Sequence, residues 1–244
     1  MTQSAARPAF YALERGGWRD YVTLLHPPYT LWHLSYVVVG GTLVPRVDWR
    51  VLALTLAAFV LALGVGAHAL DELRGRPLDT RVPARVLVAL AALSIATAAG
   101  IGIAVAVERT LWLLPFVGVG SFLVLAYNLE LAGGRFHSDL WFGLAWGAFP
   151  VLTASFAVAE RLRWDAVAAA LYATLTSLAQ RTLSRQVRTI RRDAATVRGS
   201  VEFRDGRRVE LDAATLTHVP ERALLLLTAG TIALAGALVV HRLL

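Results

Sequence analysis

Ala67-His68-Ala69-Leu70-Asp71-Glu72-Leu73-Arg74-Gly75-Arg76-Pro77-Leu78-Asp79-Thr80-Arg81-Val82-Pro83 is the stretch on which the reading of this chain turns. It closes an apolar run, 51–70, long enough to cross a bilayer, and another apolar run begins at Val86. His68, Asp71 and Glu72 stand at i, i+3 and i+4, so they share one face for as long as the helix lasts. Gly75 and Pro77 end that helix, and Arg74, Arg76, Arg81 and Arg85 surround the break. An imidazole and two carboxylates at the mouth of a membrane helix are costly without partners, and such groups mark functional sites. The alternative is a loop of solvated charge that follows the positive-inside rule.

Working outward, the 244 residues are 57% apolar with mean hydropathy +0.57, which places the chain among polytopic membrane proteins. Cysteine is absent, which excludes disulfides and thiolate metal sites, and all 24 basic residues are arginine. Residues 1–28 read as a cytoplasmic or interfacial lead-in without the apolar core of a signal peptide, so the first membrane helix is expected to direct insertion. Seven segments are apolar enough to span: 29–46, 51–70, 85–107, 110–131, 139–158, 165–182 and 222–241. The expected fold class is therefore all-α, a transmembrane bundle of about seven spans. Eighteen of the 24 arginines fall in the lead-in and in the regions after spans two, four and six. That bias predicts a multi-pass protein of the cell membrane with its N-terminus in the cytoplasm and its C-terminus outside.

The six-helix core, 29–182, carries two polar loops, 67–83 and 127–139. Small residues let helices approach closely in lipid, so Gly64-x-Gly66 and Gly100-x-Gly102 read as packing contacts. His26 and His33 read as interfacial or packing histidines. The fourth span ends in Tyr127-Asn128-Leu129-Glu130, and the turn after it supplies Arg135, His137 and Asp139. Trp141, Phe142, Trp146 and Phe149 follow, a wall that suits either an apolar tail or ordinary packing. In 183–221, Leu183, Val187, Ile190, Ala194 and Val197 predict a cytoplasmic amphipathic helix. Arg181, Arg185, Arg188 and Arg192 form a stripe on another face, able to meet anionic headgroups or to grip a diphosphate. Gly199 to Leu211 predicts a β-hairpin turning at Asp205-Gly206, which needs something to pack on, such as the preceding helix. Thr217 and Pro220-Glu221 then predict the start of the last membrane helix, within 222–244.

The stretch 67–83 resembles the first aspartate-rich motif of the UbiA-type intramembrane prenyltransferases, an Asn-Asp-x-x-Asp pattern followed by Arg-Pro-Leu and a short polar turn. Ala67-His68 stand where that family has Asn-Asp, Asp71 matches the second Asp, Gly75 replaces the next, and Arg76-Pro77-Leu78 fit. Tyr127 matches a Tyr-containing motif, although Leu129-Glu130 replace its basic pair. Only Asp193 remains where a second aspartate motif belongs. The resemblance covers roughly 21–180 and implies transfer of an isoprenyl group from its diphosphate to a hydrophobic acceptor, with Mg²⁺ bridging carboxylates and diphosphate. It implies Asp71, Glu72 and Tyr127 as catalytic residues, with Arg74, Arg76, Asn128, Arg185, Arg188 and Arg192 on the substrate. The expected metal set is His68, Asp71, Glu72, Glu130, His137 and Asp139. Its mixed nitrogen and oxygen donors also suit Mn²⁺, Zn²⁺ or Fe²⁺, which would make a different metal enzyme on the same fold. A third reading is a lipid-binding protein without catalysis. Expected partners are membrane lipid and an isoprenyl diphosphate or other lipid-like substrate, not nucleic acid.

Overall fold

In the computed structural model residues 7–244 are described, so the first six residues of the expected lead-in lie outside the described residues. After the short α1 (Trp18–Leu24) the chain builds α2 (Pro27–Thr42), α3 (Trp49–Leu73), α4 (Ala84–Glu108), α5 (Leu111–Asn128), α6 (Asp139–Ala159) and α7 (Trp164–Arg188). A hairpin of β1 (Gly199–Glu202) and β2 (Arg208–Leu211) precedes α8 (Ala213–Leu243). Side-chain caps start several of these helices: Asp48 accepts from Val51 N at 3.1 Å, and Asp212 accepts from Thr215 N at 2.7 Å.

Among the described residues five helices, α3, α4, α5, α6 and α8, are long and apolar enough to cross a membrane. The expected spans at 29–46 and 165–182 appear as α2 and α7 but do not meet the same measure. At 16 residues α2 is short, and α7 carries its arginines on the same rod as its apolar half. The bundle centres on α6, whose apolar stretch is 61% buried against 22% for α4 and α8. Neighbouring α2 lies between α6 and α8, and α7 packs on both α6 and α8.

Close approach of these helices depends on glycine. A Cβ on Gly40 would sit 2.2 Å from the carbonyl oxygen of Val151, and one on Gly147 would sit 2.5 Å from that of Ala173. Both obstacles are backbone and cannot turn aside. Gly147→Ala is therefore expected to destabilise the α6–α7 contact by about 1–3 kcal/mol, read as a lower thermal midpoint of the detergent-solubilised protein. Gly118→Ala, where a Cβ meets nothing within 4 Å, should leave that midpoint nearly unchanged.

Two helices widen into π-turns, Val60–Ala67 in α3 and Gly143–Ala148 in α6. Each contains two glycines. Such turns displace carbonyls from the regular ladder and recur at functional sites.

Two boundaries and one turn differ from expectation. The apolar sixth segment and the basic stripe form one helix, α7, continued by a wide turn to Asp193, so no break occurs at 183 and Ala194 and Val197 lie beyond it. The last helix begins at the Asp212 cap and not near Thr217, with Pro220 inside it. The hairpin forms as expected but lies exposed rather than packed, and only Gly206 in its turn has positive φ. A type I′ turn needs two such residues; Gly206 N donating to Phe203 O at 2.9 Å instead marks a type I turn followed by a bulge.

Candidate functional site

The loops after the second, fourth and sixth apolar segments converge on one cavity of about 320 Å³. Asp71 and His68 reach it from the end of α3, Tyr127 and Asn128 from the end of α5, and Arg181 and Arg188 from α7. The lead-in closes it with Pro8, Tyr11 and His26. Asp20 ties that lead-in to the loop after α3, accepting from Gly16 N and from Arg81 N, each at 2.9 Å.

Histidines line this cavity in fixed orientations, and the wide turns supply the reason. His68 Nδ1 donates to the carbonyl of Gly64 at 3.1 Å, and His33 Nδ1 to that of Trp146 at 2.9 Å. Gly64 and Trp146 both lie in π-turns. His137 Nδ1 donates to Tyr127 O at 3.1 Å, and its ring stacks on the Tyr127 ring with centroids 4.4 Å apart. A carbonyl can only accept, so each ring carries a proton on Nδ1 and, when neutral, keeps its lone pair on Nε2. His26 stacks on His68 at 4.2 Å and bonds Tyr11 Oη through Nδ1 at 2.7 Å, while its Nε2 is buried without a partner among the described residues.

Arginine supplies the charge. Arg181 is buried, donates from Nε to Asp139 Oδ1 at 2.5 Å and from Nη1 to Tyr127 Oη, and lies over the Phe142 ring at 5.0 Å. Arg188 and Arg192 line the cavity, and among the described residues neither forms an ion pair. Arg192 donates from Nε to Pro8 O at 3.3 Å.

The other expected site residues are placed differently. Glu72 is buried outside the cavity and accepts from Leu78 N at 3.0 Å, Thr80 N at 2.8 Å and Thr80 Oγ1 at 2.8 Å. Arg76 holds the same loop, donating to Val82 O at 2.6 Å. Arg74 pairs with Glu130 at 2.7 Å, and Arg185 joins Arg181 on Asp139. Asn128 and Glu130 do line the cavity, with the Asn128 amide donating to Val124 O at 2.7 Å. For the divalent metal that the family resemblance implies, Asp71 remains as the one lining carboxylate without an ion pair among the described residues. No group of three or more His, Asp or Glu among the described residues is arranged to hold a metal ion. Of the expected set, that leaves one uncommitted carboxylate for a hard cation, which is usually bound through one or two carboxylates together with substrate phosphates and water.

Tyr11, His26, Tyr29 and Gln180 also line the cavity and were not expected there. A signal existed for His26, an imidazole next to the Pro27-Pro28 helix entry; none marks Tyr11, whose place depends on how the lead-in folds back. Burial, and next the neighbouring Tyr29, push the Tyr11 hydroxyl well above its usual pKa, so it stays protonated. Burial, and next His68, Arg192 and Arg188, push His26 well below 6.5. His26 is then neutral when folded and charged when unfolded below about pH 6.5, so the unfolded chain binds more protons and stability falls as pH drops. The ligand-free thermal midpoint should decline below that pH, and His26→Gln should make the decline shallower. An unchanged slope in the variant would contradict this.

Beside the polar cavity runs an apolar cleft of about 90 Å³ between α3, α4, α5 and α6, walled by Phe59, Phe116 and Phe149. Leu63 and Trp146 line both spaces. The chain matches no family model, no curated protein and no solved structure.

Proposed function

We propose that this protein binds an amphipathic anion, an isoprenyl diphosphate, and transfers its isoprenyl group to a hydrophobic acceptor within the membrane. The observation that carries this reading is the junction at Leu63 and Trp146, where a cavity lined by Arg188 and Arg192, unpaired among the described residues, meets an apolar cleft. A charged head has guanidinium and hydroxyl donors on one side of that junction, and an isoprenoid chain has aromatic and aliphatic contact on the other. In the transfer the allylic carbon–oxygen bond breaks, diphosphate leaves, and the acceptor bonds to the allylic carbon and loses a proton. Asp71 and the Nε2 lone pair of His68 are the bases placed to take that proton. Tyr127, held by Arg181 and stacked on His137, faces the same space.

The topology we propose has α2 and α7 crossing as well, seven spans in all, with the cavity on the cytoplasmic side because most arginines lie at that end. Ion pairs close the opposite end, where Arg109 meets both Asp48 and Glu160. The test is binding to the full chain in nanodiscs, followed by Trp146-dependent fluorescence. Farnesyl diphosphate is expected to bind at least about tenfold more tightly than farnesol or inorganic pyrophosphate, since each of those engages one half of the site. Equal affinity for farnesol and farnesyl diphosphate would refute the reading.

A further inference from the structure

We infer that the anionic head is held directly by guanidinium groups, with no divalent cation bridging it to the protein. This rests on the reading of the cavity as a diphosphate site and concerns how that site is neutralised. Three of the four carboxylates in the expected metal set are already committed: Glu72 to three donors of its own loop, Glu130 to Arg74, and Asp139 to Arg181 and Arg185. A bridging cation would have Asp71 alone from that set to anchor it to the protein, its other ligands being phosphate oxygens and water.

The cationic side has the opposite imbalance. Arg188 and Arg192 line the cavity without a carboxylate partner among the described residues, and Arg181 adds a third guanidinium to its wall. Unpaired charges of one sign in a partly buried space repel each other, and an anion between them relieves that cost, whereas a dication adds to it. The buried Nε2 of His26, without a partner among the described residues, is a further polar atom open to a ligand there. Arginine forks meet phosphate oxygens in pairs, so two guanidiniums can satisfy a diphosphate without a metal to organise it.

The experiment measures radiolabelled farnesyl diphosphate binding to the full chain in nanodiscs of zwitterionic lipid, in excess EDTA and in millimolar Mg²⁺. The expected result is a Kd that differs less than about threefold between the two conditions and rises at least about 100-fold in Arg188→Gln/Arg192→Gln. Binding in Mg²⁺ that disappears in EDTA overturns the inference but leaves the diphosphate reading standing. Absence of binding in both conditions by monodisperse protein overturns both. Should the double variant not fold, Asp71→Asn decides. A guanidinium grip keeps or raises the affinity severalfold once the opposing carboxylate is gone, and a bridging cation loses it.

Discussion

Glu72→Ala is expected to destabilise the protein by about 3–5 kcal/mol, the largest loss from any single polar side chain in the loop after α3. Glu72 is 1% exposed, and its carboxylate closes the turn by accepting from Leu78 N, Thr80 N and Thr80 Oγ1. Truncation leaves three donors buried without an acceptor, which costs more than the bonds themselves contributed. Arg76 and Asp79 in this turn both adopt positive φ and depend on their neighbours to stay there, and Glu72 acts beside the Arg76 bond to Val82 O and the Asp20 bond from Arg81 N. The measurement is the thermal midpoint in detergent, expected to fall by about 10 °C for a chain of this size. Glu72→Gln keeps one acceptor oxygen and should lose about half as much. A Glu72→Ala protein that melts like the parent would show that the carboxylate does not hold the loop.

Arg181→Gln should cost about 2–3 kcal/mol, less than the removal of a fully buried ion because Asp139 is half-exposed and keeps Arg185. Arg181 joins three elements: α7 through its own backbone, the start of α6 through Asp139, and the end of α5 through the Tyr127 hydroxyl. Its loss frees Tyr127 on the cavity side, so ligand affinity should fall together with the thermal midpoint. Arg185→Gln, which removes only the exposed partner of Asp139, should change neither by more than about 0.5 kcal/mol. That contrast separates a structural clamp from a general effect of lowering the charge of the stripe.

The bundle was legible in the sequence because period and hydropathy are local properties: the apolar runs at 51–70, 85–107 and 139–158 reappear as α3, α4 and α6 within a few residues. The joining of 165–182 to the basic stripe was not, because the change from apolar to arginine-rich composition reports a change of surroundings and not of backbone. The π-turns were also hidden. Gly64 and Gly66 read as packing contacts, and Gly66 does sit against Ile95, but the pair also lies in the turn that turns Gly64 O to His68.

Within the site, three polar regions were readable from charge, and residues from all three line one cavity. How the acidic residues pair was not readable. Helical spacing puts His68, Asp71 and Glu72 on one face, yet the loop that follows draws Glu72 away into its own hydrogen bonds. Likewise Asp139 and Glu130 lie near the expected metal set in sequence but are met by arginines from distant segments. Those partners are 42 to 56 residues away, beyond anything periodicity reports.

The central claim is that one ligand occupies the polar cavity with its head and the apolar cleft with its chain. Photolabelling tests it most directly, using an isoprenyl diphosphate that carries a diazirine at the far end of its chain, followed by peptide mapping. The account predicts label on cleft residues of α3, α5 and α6, around Phe59, Phe116 and Phe149, suppressed by excess unlabelled farnesyl diphosphate. Label confined to lipid-facing positions such as Leu93 and Val107, unaffected by the competitor, would contradict it.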